Sequence, residues 1–352
     1  MKKIAILTLH FYNNFGSVLQ AYALKRTLEK LGNQADILPY HPRLPEYTYF
    51  QDRELQVAYA GKCGRFSDFR QRFLGMTGNA EQGSSRWTEY DAYVVGSDIV
   101  WGREFSGLEP AYFLDFVPEG RRKIAYAASV ILTENGATED DRLFAARLPR
   151  FDAISVRETS SAASIQRFTE RKVAAVLDPT LLLTREEYAP LEIQREDMLE
   201  KPYLLSYFLT HDPAVVDYTN LMAQKLGLRV IHYFADYPGR VFPEGSGCFA
   251  FAGPGEFLGY IKHAACIFTN SFHGTCFAMI YRRPFYTYMA KRAMLSRVRD
   301  TVGRLGMEGQ FFRDFRDFQK ISLEIDYRGM EDRLLREKAG SLKFLSGVLE
   351  ET

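Results

Sequence analysis

Residues 264–275 read AACIFTNSFHGT: an apolar run, a short polar turn and the start of a helical stretch. A short run in which odd and even positions are both apolar is typical of a parallel strand buried on both faces. The polar residues after it then lie on a strand-to-helix turn at the carboxyl edge of a sheet, where open parallel sheets bind their ligands. This stretch therefore predicts an α/β fold and places His273 at its binding edge.

The alternation of apolar runs and helical stretches continues in both directions from this turn. Apolar runs predict strands over residues 3–9, 35–38, 92–95, 123–128, 152–156, 173–177, 203–209, 228–234, 265–269 and 285–288. Amphipathic spacing predicts helices over residues 17–31, 65–74, 214–226, 256–264, 275–281, 291–305 and 330–349. Strands that alternate with helices build βαβ units around a parallel sheet.

The length of the chain, 352 residues, corresponds to about two domains. We predict two Rossmann-like α/β domains that face a cleft, the first over residues 1–180 and the second over residues 181–325. The amphipathic helix over residues 330–349 is expected to join the first domain.

Charge and composition exclude several classes of function. Lysine and arginine number 45 against 44 aspartate and glutamate residues, so no nucleic-acid partner is expected from bulk charge. No apolar run approaches the roughly 18 residues that span a bilayer, and residues 1–9 are interpreted as the first strand of a cytoplasmic protein. The four cysteines and six histidines lack ligand spacing, which predicts neither a metal site nor a disulfide framework.

The turn that carries His273 has the features of an anion site. Gly274 allows a ligand to approach the backbone closely. The N-terminus of the following helix exposes N–H groups that favour an anion. A histidine there can face a phosphate or a carboxylate and move a proton. The alternative, a histidine that only caps the helix, is equally compatible with the local pattern.

Arg157 ends a predicted strand and begins a helix. The planar fork of an arginine in that place can hold a carboxylate or a phosphate. The alternative is a surface salt bridge to a nearby glutamate, and the local pattern alone favours it.

Two loops of the first domain carry polar side chains after their strands. Asn14, Gly16 and Ser17 lie between the first strand and its helix, where they can hydrogen-bond sugar hydroxyls. Asp98 follows another strand, as a base or as an acceptor of sugar hydroxyls, and Trp101 can stack on a pyranose. The alternatives are a helix-capping aspartate and a core tryptophan.

A local excess of positive charge lies between Arg282 and Arg304, a segment that contains seven basic residues and one acidic residue. In a chain that is neutral overall, this excess suggests an anionic ligand or an anionic lipid surface. The alternative is a solvated helix face.

Six stretches occur in an order that resembles the polysaccharide pyruvyl transferase family. They are Asn14-Phe15-Gly16-Ser17-Val18-Leu19-Gln20-Ala21-Tyr22-Ala23-Leu24, Val95-Gly96-Ser97-Asp98 with Trp101, Tyr126-Ala127-Ala128-Ser129, Ser155-Val156-Arg157-Glu158, Asp178-Pro179-Thr180 and Ser271-Phe272-His273-Gly274. Each stretch alone is weakly specific, whereas the ordered set is specific and extends over most of the chain.

The resemblance implies a fold similar to the GT-B glycosyltransferases, with the site between the domains. It implies transfer of pyruvate from phosphoenolpyruvate (PEP) to two hydroxyls of a sugar, which forms a cyclic ketal and releases phosphate without a cofactor. The family's donor-site histidine and arginine correspond to His273 and Arg157. Further donor-binding candidates are Ser271, Gly274, Thr275 and, as the downstream basic residue, Lys291 or Arg292.

The first domain is then the acceptor side and the second the donor side. Candidate acceptor-binding residues are Asn14, Gly16, Ser17, Asp98 and Trp101. The family acts in surface or capsular polysaccharide synthesis, so the expected acceptor is a sugar of galactose type, either free or lipid-linked at the inner face of the membrane. The segment Arg282–Arg304 and the residues Tyr47–Phe50 suit peripheral membrane contact, and they suit a soluble protein equally well.

Two other functions are compatible with the same architecture. One is a nucleotide-sugar glycosyltransferase, in which Glu256, after Gly253-Pro254-Gly255, would bind a ribose. The other is a non-catalytic protein that binds a glycan or an anion. The discriminating observation is the donor: PEP or a diphosphate sugar.

Overall fold

The computed structural model describes residues 1–42, 53–76, 85–131, 139–209, 212–234, 246–249, 251–289 and 296–350. Within these ranges the strands are β1 (Lys3–Leu7), β2 (Gln34–Ile37), β3 (Ala92–Val95), β4 (Arg122–Ala128), β5 (Ala153–Val156), β6 (Val173–Ala175), β7 (Tyr203–Phe208), β8 (Arg229–Phe234), β9 (Gly247–Cys248), β10 (Cys266–Thr269), β11 (Phe285–Tyr288) and β12 (Phe311–Phe312).

The α-helices of the described residues alternate with these strands. They are α1 (Phe15–Lys30), α2 (Arg53–Phe69), α3 (Arg103–Ser106), α4 (Glu139–Arg147), α5 (Thr159–Gln166), α6 (Arg185–Tyr188), α7 (Pro213–Leu226), α8 (Pro254–His263), α9 (Phe272–Ile280), α10 (Ser296–Arg304) and α11 (Arg328–Glu350). A π-helical turn over Arg70–Leu74 follows α2 directly.

Most predicted elements are present within a few residues of their predicted ends. The two-residue strands β9 and β12 were not predicted, because two residues carry no periodicity. Helix α2 begins at Arg53, whereas the predicted helix began at residue 65. The sequence did not indicate the earlier start, because the first turns are mostly exposed and lack a buried apolar stripe.

The strands form two parallel sheets. The first has the order β2-β1-β3-β4-β5-β6, and the second has the order β12-β11-β10-β7-β8-β9. Every described pair of neighbouring strands is parallel. Buried apolar side chains on these strands pack with the helices that cover them, in a core cluster against each sheet. The predicted pair of Rossmann-like α/β units is confirmed.

Contacts divide the chain into two units. Unit 1 comprises Met1–Tyr47, Arg70–Leu183 and Leu335–Thr352, and unit 2 comprises Thr48–Phe69 and Thr184–Leu334. The predicted first domain included α2, whereas the structure groups this helix with unit 2. The reason is a set of contacts that includes an ion pair from Arg65 to Glu256 of α8 and a hydrogen bond from Lys62 to Tyr233 of β8.

Each sheet has one topological switch point, where the strand order reverses and where ligands bind in open α/β sheets. In unit 1 it lies between β1 and β3, and in unit 2 between β7 and β10. The side chain of Asn270, just after β10, accepts the N–H of Leu209, just after β7, at 2.9 Å. The loops that follow β1, β3, β7 and β10 therefore contain the candidate ligand-binding residues.

Candidate active site

His273 lies in the first turn of α9, at the switch point of unit 2. Ser271 is the N-cap residue: its Oγ accepts the N–H of Gly274 at 3.2 Å, and its own N–H donates to Oγ1 of Thr269 at 2.9 Å. The predicted strand-to-helix turn is confirmed. Because Ser271 provides the cap, the alternative in which His273 only caps the helix is wrong.

The side chain of His273 is 8% exposed and packs edge-on against the ring of Phe272, with 5.1 Å between ring centroids. The residue therefore lies at the carboxyl edge of the sheet, in the first turn of α9. An imidazole in this place can donate a proton to, or accept one from, an anionic molecule bound at the helix N-terminus.

Gly274 and Thr275 hold the turn in place. A Cβ on Gly274 would lie 2.7 Å from Cδ1 of Tyr207, so packing against β7 requires the glycine. The hydroxyl of Thr275 donates to the carbonyl of Ser271 at 2.9 Å and lies 3.1 Å from Oγ1 of Thr287 on β11. Both residues support the turn, and their predicted contact with the donor stays a prediction.

Asp98 lies at the switch point of unit 1. Its Oδ2 accepts the hydroxyl of Ser17 at 2.7 Å, and its Oδ1 accepts the N–H of Ile99 at 2.9 Å. The residue is 7% exposed and has a φ of 67°, a left-handed conformation that costs free energy in a residue with a side chain. Asp98 caps no helix, since the N-cap of α3 is Gly102. The helix-capping alternative is therefore wrong.

Asn14, Gly16 and Ser17 form the start of α1 beside this carboxylate. Asn14 is the N-cap residue and accepts the N–H of Ser17 at 3.2 Å. Gly16 is buried in the first turn. Ser17, one of the predicted acceptor-binding residues in this turn, contacts Asp98 through its side chain.

Arg157 lies inside unit 1 and is 1% exposed. Its NH1 donates to Oδ2 of Asp178 at 3.0 Å, and its Nε donates to Oε1 of Glu158 at 3.1 Å. Burial opposes the positive charge, but the carboxylates of Glu158, Asp178 and Asp98 outweigh it and raise the pKa of Arg157 above its ordinary value. The salt bridge to a glutamate, which was the alternative for Arg157, is present but buried rather than at the surface. The predicted contact of Arg157 with the donor stays a prediction.

Hydroxyl groups complete the network around Arg157. The carboxylate of Asp178 accepts the hydroxyls of Ser97 at 2.9 Å and Thr180 at 2.7 Å. The carboxylate of Glu158 accepts the hydroxyls of Ser129 at 2.8 Å and Ser161 at 3.2 Å. Buried charges that are paired and hydrogen-bonded in this way hold a single geometry. The network therefore fixes the carboxyl edge on which Asp98 lies.

The ordered motifs of the chain match a known family. The family model described as polysaccharide pyruvyl transferase matches residues 14–289, which include the turns of Asp98, Arg157 and His273. The chain belongs to this family. No curated protein sequence matches the chain significantly.

Solved structures place this pyruvyl transferase family member in a known fold class. UDP-N-acetylglucosamine 2-epimerase from Rickettsia bellii is 10% identical, with a TM-score of 0.56, over 100% of this chain and 96% of that chain. The enzyme from Neisseria meningitidis bound to UDP-GlcNAc is 11% identical, with a TM-score of 0.51, over 100% of both chains. UDP-GlcNAc 2-epimerase from Methanocaldococcus jannaschii is 14% identical, with a TM-score of 0.51, over 96% of this chain and 99% of that chain. These likenesses confirm the predicted GT-B-like fold class and show the fold alone.

Trp101 lies in the core of this family member. It is fully buried, its ring stacks on Phe113 with 6.0 Å between centroids, and its indole N–H donates to the carbonyl of Tyr112 at 3.0 Å. A ring enclosed in this way does not offer a face to a sugar. The core alternative for Trp101 holds.

Glu256 was the candidate for ribose binding in a glycosyltransferase. Its Oε2 accepts the N–H of Gly253 at 3.1 Å, and its Oε1 lies 3.2 Å from Nε of Arg65. The carboxylate thus caps its own helix, α8, and pairs with α2. This use of Glu256 argues against the glycosyltransferase alternative.

The basic segment is only partly described. Lys291 and Arg292 lie outside the described residues, as do Tyr47–Phe50. Arg282 pairs with Glu331 at 2.6 Å, and Arg304 lies 3.8 Å from Asp300. These two charges are used within unit 2, which differs from a uniformly solvated basic face.

Two further features are absent from the described residues. No group of three or more histidine, cysteine, aspartate or glutamate side chains in those ranges is arranged to hold a metal ion. No helix in the described part of the chain is long and apolar enough to cross a membrane.

Sequence reasoning missed the residues that hold the loop after β1. Arg70, in the π-helical turn, donates from Nε to the carbonyl of His10 at 2.7 Å and from NH2 to the carbonyl of Phe11 at 2.8 Å. Burial and then Asp98 raise the pKa of Tyr12, in the same loop, to about 12. Contacts between residues so far apart in sequence leave no local pattern.

Proposed function

We propose that this chain transfers pyruvate from PEP to two hydroxyls of a sugar, forming a cyclic ketal and releasing phosphate. Membership of the family supports the class of reaction, and the assignment of PEP as the donor is our inference. The observation that carries it is the turn of His273, which presents an imidazole at the N-terminus of α9 beside buried hydroxyls.

Unit 2 is the proposed donor side. PEP carries a carboxylate and a phosphate, and the positive end of the α9 helix dipole favours such an anion. His273 donates a proton to the methylene carbon of PEP, which makes the adjacent carbon electrophilic. The rigid turn formed by Ser271, Gly274 and Thr275 keeps the imidazole in place for this step.

Unit 1 is the proposed acceptor side. Asp98 accepts the proton of the first sugar hydroxyl as that oxygen attacks the electrophilic carbon. Ser17 orients the carboxylate through its hydrogen bond to Oδ2. The bond from carbon to the phosphate oxygen then breaks, and the phosphate takes the proton held by Asp98. The second hydroxyl closes the ketal and returns a proton to His273, so that both groups are restored.

Arg157 has a supporting part in this proposal. Its two ion pairs keep Asp178 and Glu158 in place, and its positive charge lies close enough to Asp98 for the two to interact. Arg157 therefore holds the surroundings of Asp98 in one geometry without a required contact to PEP.

The proposed acceptor is a sugar of galactose type in surface or capsular polysaccharide synthesis, free or lipid-linked at the cytoplasmic face of the membrane. This part of the proposal rests on the family alone. A lipid-linked acceptor would bring the protein to the membrane through its substrate.

The test is turnover of PEP by the full-length protein with a pool of methyl glycosides. We expect a glycoside that gains the mass of one pyruvate less one water, together with an equal amount of phosphate. His273→Ala is expected to lower the rate by at least about 100-fold. The matched control is His263→Ala, because His263 ends α8 at the opposite edge of the same sheet.

A His273→Ala protein with the wild-type rate would remove His273 from the chemistry. Release of phosphate without any modified glycoside would contradict transfer and indicate hydrolysis of PEP.

A further inference from the structure

Lys62 places a positive charge inside unit 2. The side chain projects from α2, and the residue is 7% exposed. Its Nζ donates to the hydroxyl of Tyr233 on β8 at 3.1 Å. The same ammonium lies 5.1 Å from the ring centroid of Tyr233 and 5.9 Å from that of Phe66. Aromatic faces attract a cation at these distances.

Contacts link this ammonium to the turn of His273. Tyr233 and Tyr207 are in register on β8 and β7, and their ring centroids are 5.0 Å apart. The hydroxyl of Tyr207 is hydrogen-bonded to the side chain of Ser271, the N-cap of α9. We call Tyr207 and Tyr233 the aromatic shelf. Lys62 lies at one end of the shelf, and the Ser271–His273 turn lies at the other.

Other charged groups near the two switch points are held by contacts within the protein. Arg65, one turn further along α2, pairs with Glu256, whose carboxylate caps α8. In unit 1 the charge of Arg157 is balanced by two carboxylates. A donor with a carboxylate and a phosphate needs positive charge on its own side of the protein, because burying an unpaired anion is costly.

We infer that Lys62 is a donor-binding residue whose ammonium pairs with an anionic group of PEP at the end of the aromatic shelf. The inference rests on the proposed function, since it names a binding partner for the donor of that reaction. Tyr233 then acts as a positioning residue, because its hydroxyl and ring hold the ammonium in one place.

The pH dependence of binding follows from the surroundings of Lys62. Burial lowers its pKa to about 8, against the opposing effect of Cys63 and Cys248. Tyr233 on β8 contacts the ammonium directly, and the Arg65–Glu256 pair lies one turn further along α2. PEP keeps its charge in this range, because a phosphate ester completes its ionisation near pH 6. Affinity for PEP should therefore fall about tenfold for each pH unit above about 8.

The experiment is a calorimetric titration of the full-length protein with PEP between about pH 7 and pH 9.5. We expect Lys62→Met to weaken binding at least about tenfold near pH 7, since one charged contact is lost. Lys62→Arg keeps a positive charge throughout this range, so its affinity should stay flat where that of the wild type falls. The control is Lys225→Met, a surface lysine at the end of α7, which should bind PEP as the wild type does.

Several results would overturn the inference. Wild-type affinity in Lys62→Met would exclude Lys62 as a donor contact, and so would an unchanged fall of affinity above about pH 8 in Lys62→Arg. If Lys62→Met does not fold, the Lys62→Arg profile alone decides between these outcomes. A wild-type protein that does not bind PEP at any pH contradicts the proposed function itself, which separates the two failures.

Discussion

Ser17 donates its hydroxyl hydrogen to Oδ2 of Asp98 at 2.7 Å, although 81 residues separate the two in sequence. They meet because β1 and β3 are neighbours in the sheet and end at the same edge. The contact joins the loops that flank the switch point of unit 1. It also orients a carboxylate that is held in a left-handed backbone conformation.

Asp98→Asn should abolish turnover, by at least about 100-fold, because an amide cannot accept the proton of the sugar hydroxyl. Binding of PEP should stay within about twofold of the wild type, since the donor side is in unit 2. The control is Asp91→Asn, at the other end of β3, whose side chain accepts the N–H of Lys3. Steady-state kinetics and PEP titration measure both effects. Normal turnover by Asp98→Asn would exclude Asp98 as the base.

Arg157→Ala should lower the free energy of unfolding by about 3–5 kcal/mol, because it leaves Asp178 and Glu158 as buried unpaired charges. Arg150→Ala is the control: Arg150 is about half exposed and pairs with Asp115, so its loss should cost less than about 1 kcal/mol. Urea denaturation measures the difference. Equal stabilities of the two variants would show that the buried network contributes little.

Gly274→Ala should destabilise the protein by about 1–3 kcal/mol, because the new methyl group would overlap the ring of Tyr207. It should also lower turnover, since the displaced turn carries His273. Gly303→Ala provides the comparison, because its Cβ would lie 3.6 Å from the nearest atom, in ordinary contact. That change should stabilise α10 by about 0.5–1 kcal/mol. Thermal melting of both variants tests the contrast in sign.

Acid should destabilise the protein partly through His232. Burial lowers the pKa of His232 to about 4, so the unfolded chain, with a pKa near 6.5, takes up the proton first as the pH falls. The contribution to stability is complete above about pH 6.5 and decreases down to about pH 4, by up to about 3 kcal/mol. His232→Gln removes this contribution, whereas His10, with a pKa of about 3, keeps its own. Urea denaturation at several pH values should give a shallower pH dependence for the variant, and an identical dependence would contradict this assignment.

The fold could be predicted because its signals are local. Apolar runs mark the buried strands of both parallel sheets, and Ser271-Phe272-His273-Gly274 marks the turn at one switch point. The family motifs also selected Asp98 and Arg157 before their surroundings were known. Strands, turns and motifs are each determined by residues that are adjacent in the sequence, so a local sequence pattern can predict them.

The wrong predictions concern side-chain surroundings. Whether Trp101 faces a sugar or Phe113 depends on how helices pack over the sheet, and the sequence around it is the same in both cases. The salt bridge of Arg157 was expected at the surface, because nothing near it in sequence reveals that Asp178 lies on its other side. Lys62 was not selected, since its partner Tyr233 is 171 residues away.

The most direct measurement offers the protein both candidate donors at once. Full-length protein is incubated with PEP, UDP-N-acetylglucosamine and a pool of methyl glycosides, and the masses of the glycosides are recorded. We predict a glycoside that gains one pyruvate less one water and an equal release of phosphate. A glycoside that gains N-acetylglucosamine, or a pool that stays unmodified with both donors present, would contradict it.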